Sequence, residues 1–367
     1  MSNSKLKVTE LGKSSYDIWD KFVDESPNGD IFCKSWWLDA ITKSNFKILV
    51  VINCKEIQAG IPLAYDNNGK INEPPLTRTL GPIFKRLSNI SNYSQRMLNR
   101  KWLNLLLDKI DKKKVFQFCT HHNYHDWLTF RWKGYKQTTR YTYLIDNNET
   151  EDEIWQKFTQ NRKRDIKIAL GNNLHVKISD DFKLLYKMIE LTYKRQGKKF
   201  GLRYNDFKRL DVEIKNRNMR RIFITYDEHN QPHAALYVVF NSKSAYYLLC
   251  GSNPKLRHLK GNILAFWQAI KYFRTRTNYS NFGGSDIERI ENFLKQFGGK
   301  LTQYFHIFTE KPIIKKVPIV KEIPMVKQTP LPSGKIEHNW KYHFDHLMHH
   351  SYCLFDIIRK KILGKKK

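Results

Sequence analysis

Chemistry is densest in the 367-residue sequence at Asn281-Phe282-Gly283-Gly284-Ser285-Asp286. Paired glycines such as Gly283 and Gly284 let a backbone turn tightly or come close to a substrate. Ser285 and Asp286 stand where a helix over residues 287–297 is expected to begin, and Gly298-Gly299 where it should end. Each of these roles can also be purely structural. A second candidate is Arg162-Lys163-Arg164-Asp165-Ile166-Lys167, which crowds four cations into two helical turns. Such charges repel one another unless an anion lies nearby. The chemistry would be a phosphate contact with tRNA, a nucleotide sugar or a coenzyme A pyrophosphate; the alternative is a solvated basic face. A third is Leu256-Arg257-His258-Leu259-Lys260-Gly261-Asn262, between a strand and a helix, where backbone N–H groups of a helix start can hold phosphate. An ordinary connecting loop reads equally well there.

Metal and nucleophile chemistry find less support. His121, His122 and His125 with Asp126, and His343, His346 and His350, have helix-compatible spacing. A metal needs three or four converging ligands, and no cysteine pair supports one, so no metal is expected. The five cysteines (Cys33, Cys54, Cys119, Cys250, Cys353) lack paired spacing and read as reduced thiols of a cytoplasmic protein. No Gly-x-Ser-x-Gly elbow or Cys–His signature stands out.

Composition sets the limits. A hydrophobic share of 41% and an aromatic share of 14% suffice for packed cores. The longest apolar runs fall far short of the roughly 20 residues of a membrane span, and residues 1–11 hold no apolar stretch of the signal-peptide kind. The net charge is +30, from 65 Lys and Arg against 35 Asp and Glu. It either attracts polyanions such as RNA, anionic lipid and phosphorylated metabolites, or reflects a composition rich in Lys, Asn and Ile.

These residues need elements to position them. Apolar spacing predicts helices over 16–23 and from residue 32 onward, then a buried strand over 46–53 paired with 56–65. Pro and Gly mark 73–82 as a loop. A helix over 94–110 and strands over 115–120 and 138–145 follow. After a polar break at 146–149, Thr150 to Glu153 forms a capping box. It opens one helix that carries Trp155, Phe158, Ile166 and Ala169 and ends near Gly171-Asn172. A strand (174–179), a helix (182–196), three hairpin-linked strands (221–226, 233–240, 245–250), a helix (262–273), a strand (279–282), a helix (287–297) and a last strand (301–308) complete the body.

This order, three antiparallel strands followed by a helical crossover, is the pattern of the GNAT acyltransferase fold, and the first half repeats it roughly. The expected fold class is α/β (α+β): two tandem GNAT-like domains with mixed, mainly antiparallel sheets. The expected divisions are 1–147, 148–310, a proline-repeat extended segment at 311–335 and a basic amphipathic tail at 336–367. In the repeat, Pro312, Pro318, Pro324 and Pro330 recur every six residues, which favours extended backbone. The tail either docks on the body or lies on an anionic membrane surface.

Three segments carry a closer resemblance: Phe158 to Ala169, Asn281 to Ser285, and Asn292 to Gly299. Together with Phe32 to Leu38 and Pro75 to Pro82, they make roughly residues 1–310 resemble the Fem family of aminoacyl transferases and its GNAT relatives. The resemblance implies transfer of an amino acid from aminoacyl-tRNA to an amine of a peptidoglycan precursor. The chain departs from the family at Leu294, where those proteins carry a lysine. Lys295, one place on, points about 100° away on a helix. The chain also lacks the family's inserted helical arm. Relatives of this type use acyl thioesters, and the usual thioester-phosphate loop is reduced here to Gly261.

The resemblance implies direct attack of an acceptor amine on the donor carbonyl, with a base for the proton and a cation or N–H group for the oxyanion. Position in the motifs nominates Asp286 or Glu288 as base, Tyr247 and Tyr304 as hydrogen-bonding groups, and Lys295 as a cation. Arg162, Arg164, Lys167, Arg257, Gly261 and Asn262 are the donor-phosphate candidates; Gly283, Gly284, Ser285 and Trp37 are the cleft candidates. The expected function is acyl or aminoacyl transfer to an amine of a cell-envelope precursor, an amino sugar or a peptidoglycan peptide linked to nucleotide or lipid. No cofactor is expected to be tightly bound; acyl-coenzyme A or aminoacyl-tRNA serves as co-substrate. The protein is placed in the cytoplasm or peripherally at the inner membrane face. The alternative is a non-catalytic GNAT-fold protein that binds RNA or an anionic membrane.

Overall fold

The computed structural model describes residues 6–111, 116–284 and 286–309. Ser285, the proline repeat, the basic tail and the histidines at 343, 346 and 350 lie outside the described residues. The chain begins with β1 (Lys7–Glu10), α1 (Tyr16–Glu25), α2 (Ser35–Thr42), β2 (Phe46–Asn53), β3 (Glu56–Ala64), β4 (Ile83–Phe84) and α3 (Asn92–Leu107). It continues through β5 (Gln117–Cys119), α4 (Leu128–Trp132), β6 (Lys136–Asp146), α5 (Glu151–Lys157), α6 (Gln160–Gly171), β7 (His175–Ser179) and α7 (Phe182–Arg195). Then come α8 (Tyr204–Asn216), β8 (Arg220–Tyr226), β9 (Pro232–Phe240), β10 (Ser244–Ser252), α9 (Gly261–Phe273), β11 (Tyr279–Asn281), α10 (Glu288–Leu294) and β12 (Lys300–Phe308).

Two sheets organise these elements. β1 to β4 form an antiparallel sheet in chain order, and the larger sheet runs β5-β12-β6-β11-β10-β9-β8-β7. β7 to β10 pair antiparallel; short polar turns join β8 to β9 and β9 to β10, whereas α7 and α8 lie between β7 and β8. β10 and β11 are parallel, because α9 returns the chain to the same end of the sheet. β12 then crosses over to lie between β5 and β6. Strands from before and after residue 147 therefore share one sheet.

Packing fuses the two halves further. One core cluster takes Trp19, Phe32 and Trp37 from early in the chain and Phe207, Tyr237 and Tyr246 from late in it. The Phe32 and Tyr246 rings meet edge-on at 4.8 Å. Buried polar groups also pair across the same boundary. Asp30 accepts hydrogen bonds from Thr79 Oγ1 (3.0 Å) and the Tyr246 hydroxyl (2.5 Å). Lys243 Nζ donates to the carbonyls of Val23, Ser26 and Gly29. A second core lies between the larger sheet and α9, whose apolar faces are buried nearly all round.

Four local expectations need correction. The helix expected across 150–171 is two helices, because Phe158 is extended and turns into the core against Trp267 and Phe297. Thr159 then caps α6, and its own N–H donates to the Gln296 carbonyl (3.0 Å). The helix expected over 287–297 is α10 followed by a 3-10 turn over Lys295–Phe297. Its N-cap is Ile287 rather than Ser285 or Asp286, and no side chain caps it. The sequence reading passed over β1, α4 and α8; α8 buries Phe207, Leu210, Asp211 and Ile214 along one stripe.

Candidate functional site

β10 and β11 pair only over Ser244 to Tyr246 and Tyr279 to Asn281, and then part. β10 runs on to Ser252 with an irregularity between Tyr247 and Leu249. That irregularity turns the Leu248 carbonyl out of the ladder. Arg78, from the loop between β3 and β4, fills the opening: its Nη2 donates to Leu248 O at 3.3 Å. On the other wall is Gly283 (φ +74°), where an added Cβ would sit 3.3 Å from the Arg78 guanidinium. Gly284 (φ +60°) is also obligatory, since a Cβ there would run into the Tyr141 carbonyl. Arg78 Nε is buried without a hydrogen-bond partner among the described residues. A buried, unpaired donor at a strand splay is poised for an acceptor oxygen.

Around Arg78 gathers a half-buried cluster drawn from both halves of the chain. Glu73 accepts a hydrogen bond from the Cys119 backbone N–H (2.9 Å). Burial pushes its carboxyl up to about 7, against opposition from that bond and from Arg140 and Arg78. Arg140 Nη1 lies 3.4 Å from Cys119 Sγ, and its Nε lies 3.4 Å from Asp286. Tyr304 stands opposite Arg140 in the β6–β12 register, and burial raises its hydroxyl pKa. Burial and then Arg140 lower the His306 imidazole to about 4, so it is neutral at pH 7. Burial also raises the Cys119 thiol well above its ordinary value, so it is no thiolate nucleophile. The arrangement offers a carboxylate that titrates near neutrality and two guanidinium groups. That set suits proton removal beside a carbonyl gaining negative charge.

The structure brings some sequence-nominated residues to this place. Asp286 reaches it through Arg140, Tyr304 through the strand register, and Gly283 and Gly284 form its wall. Others lie elsewhere. Tyr247 is buried between Phe266 and Phe282, its hydroxyl 3.3 Å from Ser280, so it serves the core. Trp37 is buried as well; its Nε1 donates to Thr77 (3.0 Å) and so steadies the loop that carries Arg78. Glu288 is exposed on α10, and Lys295 is exposed and pairs with Glu291 at 3.4 Å.

The phosphate candidates also separate. Arg162 is only 1% exposed. It donates to the Phe293 carbonyl (2.8 Å) and lies over the Phe293 and Phe297 rings at 4.5 and 4.2 Å. Its charge holds α6 to α10 and is not offered to a ligand. Arg164 and Lys167 are exposed on α6, and Arg257 is exposed in the 3-10 turn Pro254–Leu259. Gly261 is buried and its carbonyl accepts from Thr225 (2.8 Å); Asn262 beside it is half-buried. Among the described residues no group of His, Cys, Asp and Glu gathers as a metal site would require.

Sequence reasoning missed Glu73, Arg78, Cys119 and Arg140 as site residues. Glu73 and Arg78 offered one signal, charged side chains inside a proline-rich loop, where functional groups often sit.

Comparison with known proteins bears on the fold. Residues 159–286 match the acetyltransferase (GNAT) domain family. The fold resembles the crystal structure of FemX, with a TM-score of 0.62 at 15% identity, covering 83% of this chain and 98% of that one. It also resembles a conserved protein of unknown function from Bacteroides thetaiotaomicron, with a TM-score of 0.53 at 9% identity, covering 83% and 99%. At these identities the likeness is one of fold. No curated protein matches the chain in sequence.

Proposed function

We propose that this chain, which carries a GNAT acetyltransferase domain within a Fem-like fold, joins an acyl or aminoacyl group to an amine of a cell-envelope precursor. The donor is a thioester or an aminoacyl-tRNA. The observation that carries the reading is the splay between β10 and β11, with Arg78 in its mouth and Glu73 titrating near neutrality beside it. The Fem resemblance supports a peptidoglycan peptide or amino sugar as acceptor.

The donor carbonyl enters the splay with its oxygen toward Arg78 Nε. The acceptor amine approaches from the Glu73 side. Attack forms the C–N bond and moves an electron pair onto the carbonyl oxygen, where the Arg78 charge stabilises it. Glu73 takes the amine proton. Collapse breaks the C–S or C–O bond, and the proton passes from Glu73 to the departing sulfur or oxygen. No covalent enzyme intermediate is needed, which accords with the buried, protonated Cys119 thiol.

The test is the pH dependence of transfer by the full chain with a panel of acyl donors and amine acceptors. kcat/KM should fall as pH drops through about 7, because protonated Glu73 cannot accept a proton. A rate independent of Glu73 at every pH would remove it as the base.

A further inference from the structure

We propose that a cavity between α3 and the loop that follows β5 binds a phosphate ester carrying free hydroxyl groups, presented as a lipid headgroup or as a free small molecule. The site is separate from the splay and does not depend on the transfer reaction.

The cavity encloses about 250 Å³ and is walled by the residues leaving β4, the first turns of α3, and the stretch from Asn123 to Thr129. Side chains tie these segments together. Gln95 of α3 accepts from the Leu87 N–H (2.9 Å) and donates to the Lys85 carbonyl (3.0 Å). Asn28 accepts from the Phe84 N–H (3.3 Å), and Asn123 donates to the Pro27 carbonyl (3.3 Å). The Phe84 and Tyr124 rings stack at 6.0 Å. The walls are thus set before a ligand arrives, which lowers the cost of binding.

None of Glu73, Arg78 and Arg140 lines this cavity. Pro27 and Asn28 lie between Ser26 and Gly29, whose carbonyls Lys243 grips just before β10 begins. From Ser244 to Leu248 at the splay, β10 rises about 13 Å at roughly 3.3 Å per residue.

The lining has two zones. Inside, the Tyr124 hydroxyl and Thr129 Oγ1 are buried without a hydrogen-bond partner among the described residues. The two residues are 7% and 2% exposed, and both face the cavity. Burial, and then the Asp126 charge, raise the Tyr124 hydroxyl well above its ordinary range, and Arg100 opposes them. The hydroxyl therefore stands beside this ion pair, in which Arg100 Nε donates to Asp126 Oδ2 at 2.6 Å. Unpaired buried hydroxyls are costly, and each can donate and accept, so hydroxyl groups of a ligand would satisfy them.

At the mouth the lining is cationic. Arg86 and Arg96 are exposed; Arg86 Nη2 donates to Asn92 Oδ1 (2.8 Å), and Arg96 lies 6.0 Å over the Tyr93 ring. Neither forms an ion pair with a carboxylate among the described residues. Guanidinium forks at the rim suit a phosphate, whose hydroxyl-bearing ester group would then point inward. Tyr93 and Trp132 flank the mouth at 63% and 64% exposure, and Trp132 covers Arg100 at 5.2 Å. Exposed Tyr and Trp beside arginines fit the headgroup layer of a membrane, which makes a lipid one of the two sources.

The experiment measures binding to the full chain in about 0.15 M salt, with no turnover read. The free probes are glycerol phosphate and inorganic phosphate. The lipid probes are vesicles of phosphatidylglycerol and, as a control without hydroxyls, phosphatidylserine vesicles of equal surface charge. In at least one pair the wild type should prefer the hydroxyl-bearing probe. Preference within the free pair identifies a small molecule; preference within the vesicle pair alone identifies a lipid, and Y93A/W132A should then weaken it. Y124F/T129V should abolish the preference while unfolding at or above the wild-type temperature, since it removes unpaired hydroxyls and little volume. R86A/R96A should weaken the preferred probe about ten-fold or more, the loss expected for charge-assisted hydrogen bonds. R164A/K167A on α6 should change affinity less than about two-fold. Equal losses in the α6 and rim variants would mean general attraction to a +30 chain and overturn the site. So would a preference that survives Y124F/T129V, or a wild type that binds no probe or shows no preference. E73Q and R78A should bind as the wild type does, so this site and the transfer reaction stand or fall separately.

Discussion

Replacing Glu73 with Gln should remove activity and, above neutral pH, stabilise the protein. The side chain keeps its shape, and the amide oxygen can still accept the Cys119 N–H. The difference is charge. The folded-state carboxyl titrates at about 7, raised mainly by burial, while an unfolded Glu titrates near ~4.3. A raised carboxyl means that the folded state binds the proton more tightly. The stability this gives is fully present below about pH 4.3 and is lost as pH rises through about 7. The shift corresponds to at most ~3.7 kcal/mol at 1.36 kcal/mol per unit, and partial exposure with solvent screening reduces it to roughly 1–2 kcal/mol. E73Q lacks this loss. Its melting temperature should exceed that of the wild type by roughly 2–6 °C at pH 8, with little difference at pH 4.5. Transfer should fall by about 10²–10⁴ in kcat, the usual contribution of a positioned base. The assays are thermal unfolding at the two pH values and single-turnover product formation. An E73Q variant with the wild-type rate, or one with the same stability offset at both pH values, refutes the reasoning.

Three further outcomes are expected. Arg78→Ala should lower kcat by about 10²–10³ with little change in KM, since its charge acts on the developing oxyanion; steady-state kinetics check this. Arg162→Ala should cost about 2–4 kcal/mol in denaturant unfolding, because the Phe293 and Phe297 faces and the Phe293 carbonyl lose their partner; donor KM should not change in the folded fraction. Gly284→Ala should cost about 2 kcal/mol or more, since it puts a Cβ against the Tyr141 carbonyl at positive φ; a lowered melting temperature is the readout.

Elements were legible where periodicity and local chemistry agreed. The alternation of β8 to β10, the turn after β2 and the Thr150 capping box are all short-range signals, and each appears as expected. The Phe158 break was not legible, because it depends on the Thr159 bond to Gln296, far along the chain. The burial of Arg162 was foreseeable. Arg162, Ile166 and Ala169 fall on one helical face, so the apolar stripe already held the arginine. The cluster itself could not be read. Glu73 meets Cys119 across 46 residues and Arg78 meets Leu248 across 170, through a crossover that places β12 between β5 and β6. No local pattern encodes such a meeting. The strand-glycine motif did point to Gly283 and Gly284, because positive φ there is a backbone requirement that leaves a mark in residue type.

The most direct test of the account is mass spectrometry of the full chain incubated with acyl-donor and amine-acceptor panels, comparing the wild type with R78A. The account predicts an N-acylated product from the wild type, almost none from R78A, and no acyl group left on the protein. Undiminished product from R78A, or an acyl group attached to Cys119, would contradict it.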